Sequence, residues 1–300
     1  MSNKICVKAP AKINLTLDII GRRDNGYHDL KMIMQTIDLY DEITIAKTGT
    51  PDIILNMDKD FTPSIPQEKN LAWQAAALMQ KKFSLPYGFK LELKKRIPVA
   101  AGLAGGSTDC GAALLGINSL CSLGLTKEEL CELGVTLGAD VPFCIQKGTM
   151  LAEGIGEILT PLPDLAPLWV LLIKPNLAVQ TGEVYREIDS KNHYYHPNTK
   201  IVVDAISHND AVTMSQNLSN VLESVTITKY PVLNHLKEFF LQNGACGSLM
   251  TGSGPTIYGI FQDATLASLA QKLAMEKYSE YDIILCQTKV PEELEKIISD

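Results

Sequence analysis

Gly102, Gly105, Gly106, Ser107 and Thr108 lie within seven residues and form the stretch of this chain best suited to chemistry. Glycines let backbone amides approach an anion closely, and a helix starting at their end adds unpaired N–H groups and a partial positive charge. Together these suit phosphate. No Lys-Ser or Lys-Thr follows the glycines, so the loop is not a Walker A loop, and GxGxxG is absent as well. A glycine turn that only packs its helix is the competing reading. A second small-residue turn, Gly252-Ser253-Gly254, offers further free amides, although alone it reads as a hairpin turn. Asp140, in the loop Gly138 to Phe143, either serves a site or caps locally. Lys12 and Asn14 are one strand period apart and share a face.

The elements that must position these residues follow from periodicity and punctuation. Ile5 to Ile20 alternates in two short strand-like runs separated near Pro10. Asn25-Gly26 suits a turn with positive φ, which sets Tyr27 and His28 on or beside a loop before strands near 33–39 and 42–46. Asn70 caps a helix that Pro86 stops, and Phe89 to Leu93 reads as a strand. Ser107 or Thr108 is placed to cap a helix running to about Leu120, and Thr126 to Glu129 is a capping box. Residues 192–199 read as a loop, Gly247 to Phe261 as a glycine turn entering a strand, and the tail 290–300 as a helix. A rise in proline and polarity around 154–167 divides the chain into 1–158 and 159–300.

Composition narrows the function classes. A net charge of -7 over 300 residues, with a pI near 5.3, argues against nucleic acid as a partner, because phosphate backbones are held by basic surfaces. Seven cysteines without CxxC spacing point to a reducing cytoplasm and no structural zinc. No apolar run approaches the roughly 20 residues that span a bilayer, so a cytoplasmic protein with no membrane partner is expected.

Three segments in this order resemble the GHMP kinases. They are Pro10-Ala11-Lys12-Ile13-Asn14, Pro98-Val99-Ala100-Ala101-Gly102-Leu103-Ala104-Gly105-Gly106-Ser107-Thr108 and Leu249-Met250-Thr251-Gly252-Ser253-Gly254-Pro255-Thr256. Gly21 to His28 and Gly138 to Phe143 narrow the resemblance to the branch that phosphorylates a cytidine diphosphate-linked methylerythritol. The match runs from residue 5 to about 260. It implies an α+β, two-domain fold: a ribosomal protein S5 domain 2-like N-terminal domain and a ferredoxin-like C-terminal domain. It implies transfer of phosphate from ATP to a substrate hydroxyl, giving the 2-phosphate and ADP on the non-mevalonate route to isoprenoid precursors.

Site roles follow from the same resemblance. Lys12 and Asp140 form the catalytic pair, and Pro98 to Thr108 wraps the ATP phosphates, with Lys95 as a further nucleotide contact. Tyr27, His28 and Tyr185 take the cytosine, and Thr181 and the turn Gly252, Ser253 and Gly254 face the substrate. Asn14 is suited to hydrogen-bond the substrate hydroxyl. Mg2+ is expected to bridge the ATP phosphates, although no carboxylate stands out as its ligand. The small-molecule enzyme is expected to be a monomer or weak homodimer. The alanines in the loop, where many relatives carry glycine, are harmless unless positive φ is required. Three alternatives remain open at this point: a homoserine- or mevalonate-type kinase, a silent nucleotide binder of the same fold, and a dinucleotide oxidoreductase.

Overall fold

The computed structural model describes residues 4–24, 26–58, 66–164, 166–191, 195–289 and 295–298, the last stretch as backbone only. Its frame is a long antiparallel pair, β1 (Lys4–Arg22) and β2 (His28–Lys47), where shorter strands are expected. Instead of ending at Pro10, β1 absorbs it in a register shift between Pro10 and Lys12, with further shifts after Asn14 and Ile19. Such irregularities re-aim side chains without ending the ladder. The outer part of β1 alternates buried and half-buried residues, whereas Ala9 to Ile19 is buried on both faces. That inner stretch is where the two halves of the molecule meet.

β3 (Ile53–Met57) and β4 (Phe89–Lys94) extend the sheet beyond β2, and β5 (Thr149–Gly154) and β6 (Ile158–Pro161) branch from β2's other end. α1 (Leu71–Lys82), α2 (Gly105–Cys121), α3 (Lys127–Val135) and the short α4 (Val141–Gln146) accompany this sheet. The side chain of Asn70 caps α1 as expected, and the Thr126–Glu129 box opens α3. α2 begins earlier than expected: its N-cap is Ala104, and neither Ser107 nor Thr108 caps it. The glycines themselves carry the first helical turn.

A second, antiparallel sheet has the order β11 (Asp282–Gln287), β7 (Trp169–Lys174), β10 (Ile257–Phe261), β9 (Gly247–Met250). α5 (Thr181–Asp189), α6 (Thr199–Ser207), α7 (Ala211–Gln216), α8 (Glu223–Lys229), α9 (Val232–Gln242) and α10 (Ala264–Lys277) fill the connections. Two strands of the second half return to the first sheet: β8 (Ser219–Asn220) runs parallel to β1, and β12 (Glu295–Ile298) pairs along its start. The tail therefore contains a strand where a helix is expected, because the outer edge of β1 offers a ladder that local sequence does not reveal. The division after residue 158 falls inside β6, which pairs with β5.

Of the loop expected over 192–199, residues 192–194 lie outside the described residues, and Thr199 opens α6 under an Asn198 cap. Asn25 of the expected turn also lies outside them, while Gly26 has φ +84°. Among the described residues no helix is long and apolar enough to cross a membrane, and all seven cysteines are free.

Candidate active site

Lys12 leaves the β1 irregularity with its backbone N–H donating to Leu103 O (3.2 Å), which fastens the glycine loop to the strand. The residue is 4 % exposed. Nζ donates to Asn14 Oδ1 at 2.7 Å and faces Asp140 Oδ2 at 3.9 Å. Asn14 is fully buried, and its Oδ1 also accepts from Gly252 N (3.0 Å). Its amide is thus engaged in aiming Lys12 and holding the second glycine turn. Asp140 occupies the N-cap position of α4 in a helical conformation with no capping hydrogen bond from its side chain. Its carboxylate, a third exposed, remains available to a ligand.

The two small-residue segments pack on each other. Gly102 has φ +72°, and a Cβ there would run into the carbonyl oxygen of Thr251. Thr251 Oγ1 donates to Gly102 O (3.1 Å), and Asn220 Nδ2 donates to both Met250 O and Gly252 O (2.8 Å each). The loop alanines are not neutral: Ala100 and Ala104 have φ +52° and +58°, in the left-handed region.

A cavity of about 580 Å³ opens beside this junction, within the usual size for a small-molecule site. Lys12, Asp140, Ser107, Gly102, Ala104 and the Gly252-Ser253 turn line it. Tyr27, His28, Thr181 and Tyr185 line it as well. Of the expected residues, Pro98 to Ala101, Leu103, Gly105, Gly106, Thr108 and Gly254 do not line it. Thr108 is buried with an unpartnered Oγ1, so it offers nothing to a ligand in the cleft.

Lys95 is a correction. It is 7 % exposed, and its ammonium is gripped by Asp41 Oδ2 and by Asp109 Oδ2 (2.6 Å) beneath the start of α2 rather than turned to the nucleotide side. A buried ammonium requires counter-charge, and Asp41 supplies it, joined by Asp109 where that carboxyl is ionised. Burial alone would lower the Lys95 value, but Asp109 and Asp41 outweigh it and the net shift is upward. Burial pushes the Asp109 carboxyl up to about 8 despite the pull of Lys95. Asp41 Oδ1 also accepts from the backbone N–H groups of Arg96 and Ile97. The network ties the entry of the loop to its exit.

The rings of His28 and Tyr185 stack at 5.0 Å and 29°. Tyr185's phenol is held above its ordinary value by burial and then by the charge of Asp140. His28 Nε2 meets Asp189 Oδ1 at 2.6 Å, and Arg22 Nη1 lies 3.3 Å from Asp189 Oδ2. Thr181 Oγ1 and Ser253 Oγ are 2.8 Å apart. Arg22, Arg186 and Asp189 border the cavity but were absent from the sequence reading. A signal existed: Thr181, Tyr185 and Asp189 recur every four residues on α5 and so share a face.

A sequence profile described as "GHMP kinases N terminal domain" matches residues 70–148, and one described as "GHMP kinases C terminal" matches 202–279. A 4-diphosphocytidyl-2-C-methyl-D-erythritol kinase of Lachnoclostridium phytofermentans is 47 % identical over 279 residues, 93 % of each chain. The chain belongs to the GHMP kinases, in the branch of that relative. A solved 4-(cytidine 5'-diphospho)-2C-methyl-D-erythritol kinase superposes with a TM-score of 0.79 at 29 % identity, covering 95 % of this chain and 100 % of its own. The homoserine kinase of Cytophaga hutchinsonii has a TM-score of 0.78 at 19 % identity, covering 99 % and 98 %, and shares the fold. The architecture is the two-domain α+β GHMP kinase fold, and the protein is a small-molecule kinase, which implies ATP as phosphoryl donor.

Among the described residues no cluster of three His, Cys, Asp or Glu side chains could cage a metal. The side-chain oxygens that line the cleft include those of Ser107 and Asp140, while the hydroxyls of Thr181 and Ser253 engage each other. So sparse a set fits Mg2+, which usually keeps water and phosphate oxygens as most of its ligands.

Proposed function

We propose that this protein transfers the γ-phosphoryl group of ATP to a hydroxyl of 4-diphosphocytidyl-2-C-methyl-D-erythritol, giving the 2-phosphate and ADP on the non-mevalonate route to isoprenoid precursors. One observation carries the reading: a single cavity is lined both by the Lys12–Asp140 pair and by the stacked His28–Tyr185 pair. An acceptor that carries both a hydroxyl and a pyrimidine fits that lining. Tyr27 and Tyr185 offer aromatic faces to the base, and Arg22 and Arg186 also line the cavity, offering positive charge to a diphosphate.

Phosphoryl transfer depends on positioning and on charge stabilisation. Asp140 accepts the hydroxyl proton as the new O–P bond forms and the bond to the leaving ADP oxygen breaks. Lys12, aimed by Asn14, offsets charge on the transferred oxygens. The backbone of Pro98 to Thr108, opening into α2, cradles the donor phosphates, and Thr181 and Ser253 contact the acceptor. Ser107 would help to hold Mg2+, with phosphate oxygens and water as its other ligands, and the ion when bound would neutralise phosphate charge. The proposal includes division near residue 158, a cytoplasmic setting, a monomer or weak homodimer, and no nucleic-acid partner.

The test is incubation with Mg-ATP and 4-diphosphocytidyl-2-C-methyl-D-erythritol, with homoserine and mevalonate in parallel, followed by phosphorus NMR. A new phosphate ester on the cytidyl substrate alone is expected. Turnover of homoserine or mevalonate instead would replace the substrate assignment.

A further inference from the structure

We infer that Asp189 is a positioning residue that fixes the proton of His28 on Nε2 and so makes the cleft select an amino-bearing pyrimidine over its oxo counterpart; the inference rests on the proposed cytidyl substrate. An ionised carboxylate only accepts hydrogen bonds, so at 2.6 Å it takes one from Nε2–H. With Nε2 protonated and no second proton on the ring, the lone pair lies on Nδ1, for which no partner exists among the described residues. His28 is 8 % exposed and borders the cavity. A ring flip would break the Asp189 bond and disturb the stack on Tyr185. Asp189 is itself held from its other oxygen by Arg22 and stands one helical turn beyond Tyr185 on α5.

The consequence is a polarity choice. An acceptor at Nδ1 pairs with the exocyclic amine of cytosine and opposes the carbonyl that uracil presents at the same place. A site built to hydrogen-bond one group leaves a buried polar atom unpaired when the wrong group enters, and that asymmetry gives strong rejection. Asp189→Asn is isosteric but can donate to Nε2, which would move the ring proton to Nδ1 and convert the acceptor into a donor. A buried aspartate that holds a histidine tautomer by the same logic is familiar from hydrolytic triads.

Two readouts decide it. In the 15N-labelled full-length protein at pH 7.5, ring correlations of His28, assigned by their loss in His28→Gln, should show the neutral Nε2–H tautomer. An Nδ1–H tautomer or an imidazolium would overturn the inference. In kinetics, the wild type should favour the cytidine over the uridine form of the diphosphate-linked methylerythritol by at least about tenfold in kcat/KM, one hydrogen bond's worth. Asp189→Asn should reduce that preference by about tenfold with an unchanged KM for ATP and an unchanged melting temperature, and Asp189→Glu should restore part of it. An unchanged preference in Asp189→Asn, or an equal fall for both substrates, sinks the proposal. Should the wild type turn over neither substrate, the proposed function fails, and titration with CDP and UDP decides the inference: a preference for CDP that Asp189→Asn removes upholds it, and no preference overturns it.

Discussion

At the scale of single residues, the site places a carboxylate and an ammonium 3.9 Å apart, with the ammonium nearly buried and the carboxylate open to the cleft. Asp140 makes no capping bond, so replacing it removes nothing that holds α4. Asp140→Asn should therefore fold normally and bind ATP almost as before, while turnover falls at least ~100-fold, within the ordinary effect of losing an acid–base group. Isothermal titration with ATP beside steady-state rates checks both halves, and undiminished turnover would remove Asp140 from the chemistry. Asp109 carries a different prediction, because its carboxyl is pushed up to about 8 by burial. Between the ordinary carboxylate value of 3.8 and about 8, the folded chain keeps a proton that the unfolded chain releases. Stability from this group is thus fully present at low pH, is lost as pH rises through that window, and levels off above it. Asp109→Asn removes the titration, so the melting temperature of the wild type should fall relative to the variant from pH 5 to pH 8. Parallel curves would show that the group does not hold its proton.

The elements convert short-range chemistry into positions, and the loop before α2 shows both what local sequence reveals and what it hides. Gly102 needs both its φ of +72° and its missing side chain, because the Thr251 carbonyl oxygen fills the space. Gly102→Ala should cost several kcal/mol and detach the loop from the second turn, visible as a large loss of thermal stability together with ATP binding. Ala104 shares the positive φ, borders the open cavity, and carries strain that glycine would not. Ala104→Gly should leave the fold intact and stabilise by up to about 1 kcal/mol, the relief of strain being offset in part by glycine's greater freedom when unfolded. A rise of about 2 °C in melting temperature would report it. The caps at Asn70 and Thr126 were legible because their partners lie two or three residues away. The Lys12, Asp140, His28 and Tyr185 assignments were reached through motif resemblance, and these residues do border one cavity. The continuity of β1 was not legible, since a proline reads as a stop unless its bulge is seen. Nor was the burial of Lys95, which depends on Asp41, 54 residues away, and on Asp109.

On the scale of the whole molecule, the cleft exists because the two halves are bound along the inner stretch of β1. Tyr258 OH donates to Asn14 O (2.7 Å), Thr251 reaches Gly102, and β8 and β12 join the first sheet from the far end of the chain. The cores are shared as well. Leu17, Met34 and Phe143 pack in one apolar cluster with Leu171, Val225 and Phe240, and Ile13, Ile33 and Ile37 pack in another with Val170, Leu172 and Ile260. Among the described residues, only the cluster beneath α1 and α2 belongs to the first half alone. Relative motion between domains is the usual expectation where their interface is small and polar, and here it is apolar and threaded by strands. Fragments 1–158 and 159–300 expressed separately should therefore each expose apolar faces and fail to form cooperative folds, whereas the intact chain should unfold in one transition. Calorimetry on the intact protein and solubility with circular dichroism on the fragments provide the check. A fragment 1–158 that melts cooperatively near the temperature of the whole would mean that the cluster around α1 and α2 suffices, and that the shared cores serve the cleft rather than the fold.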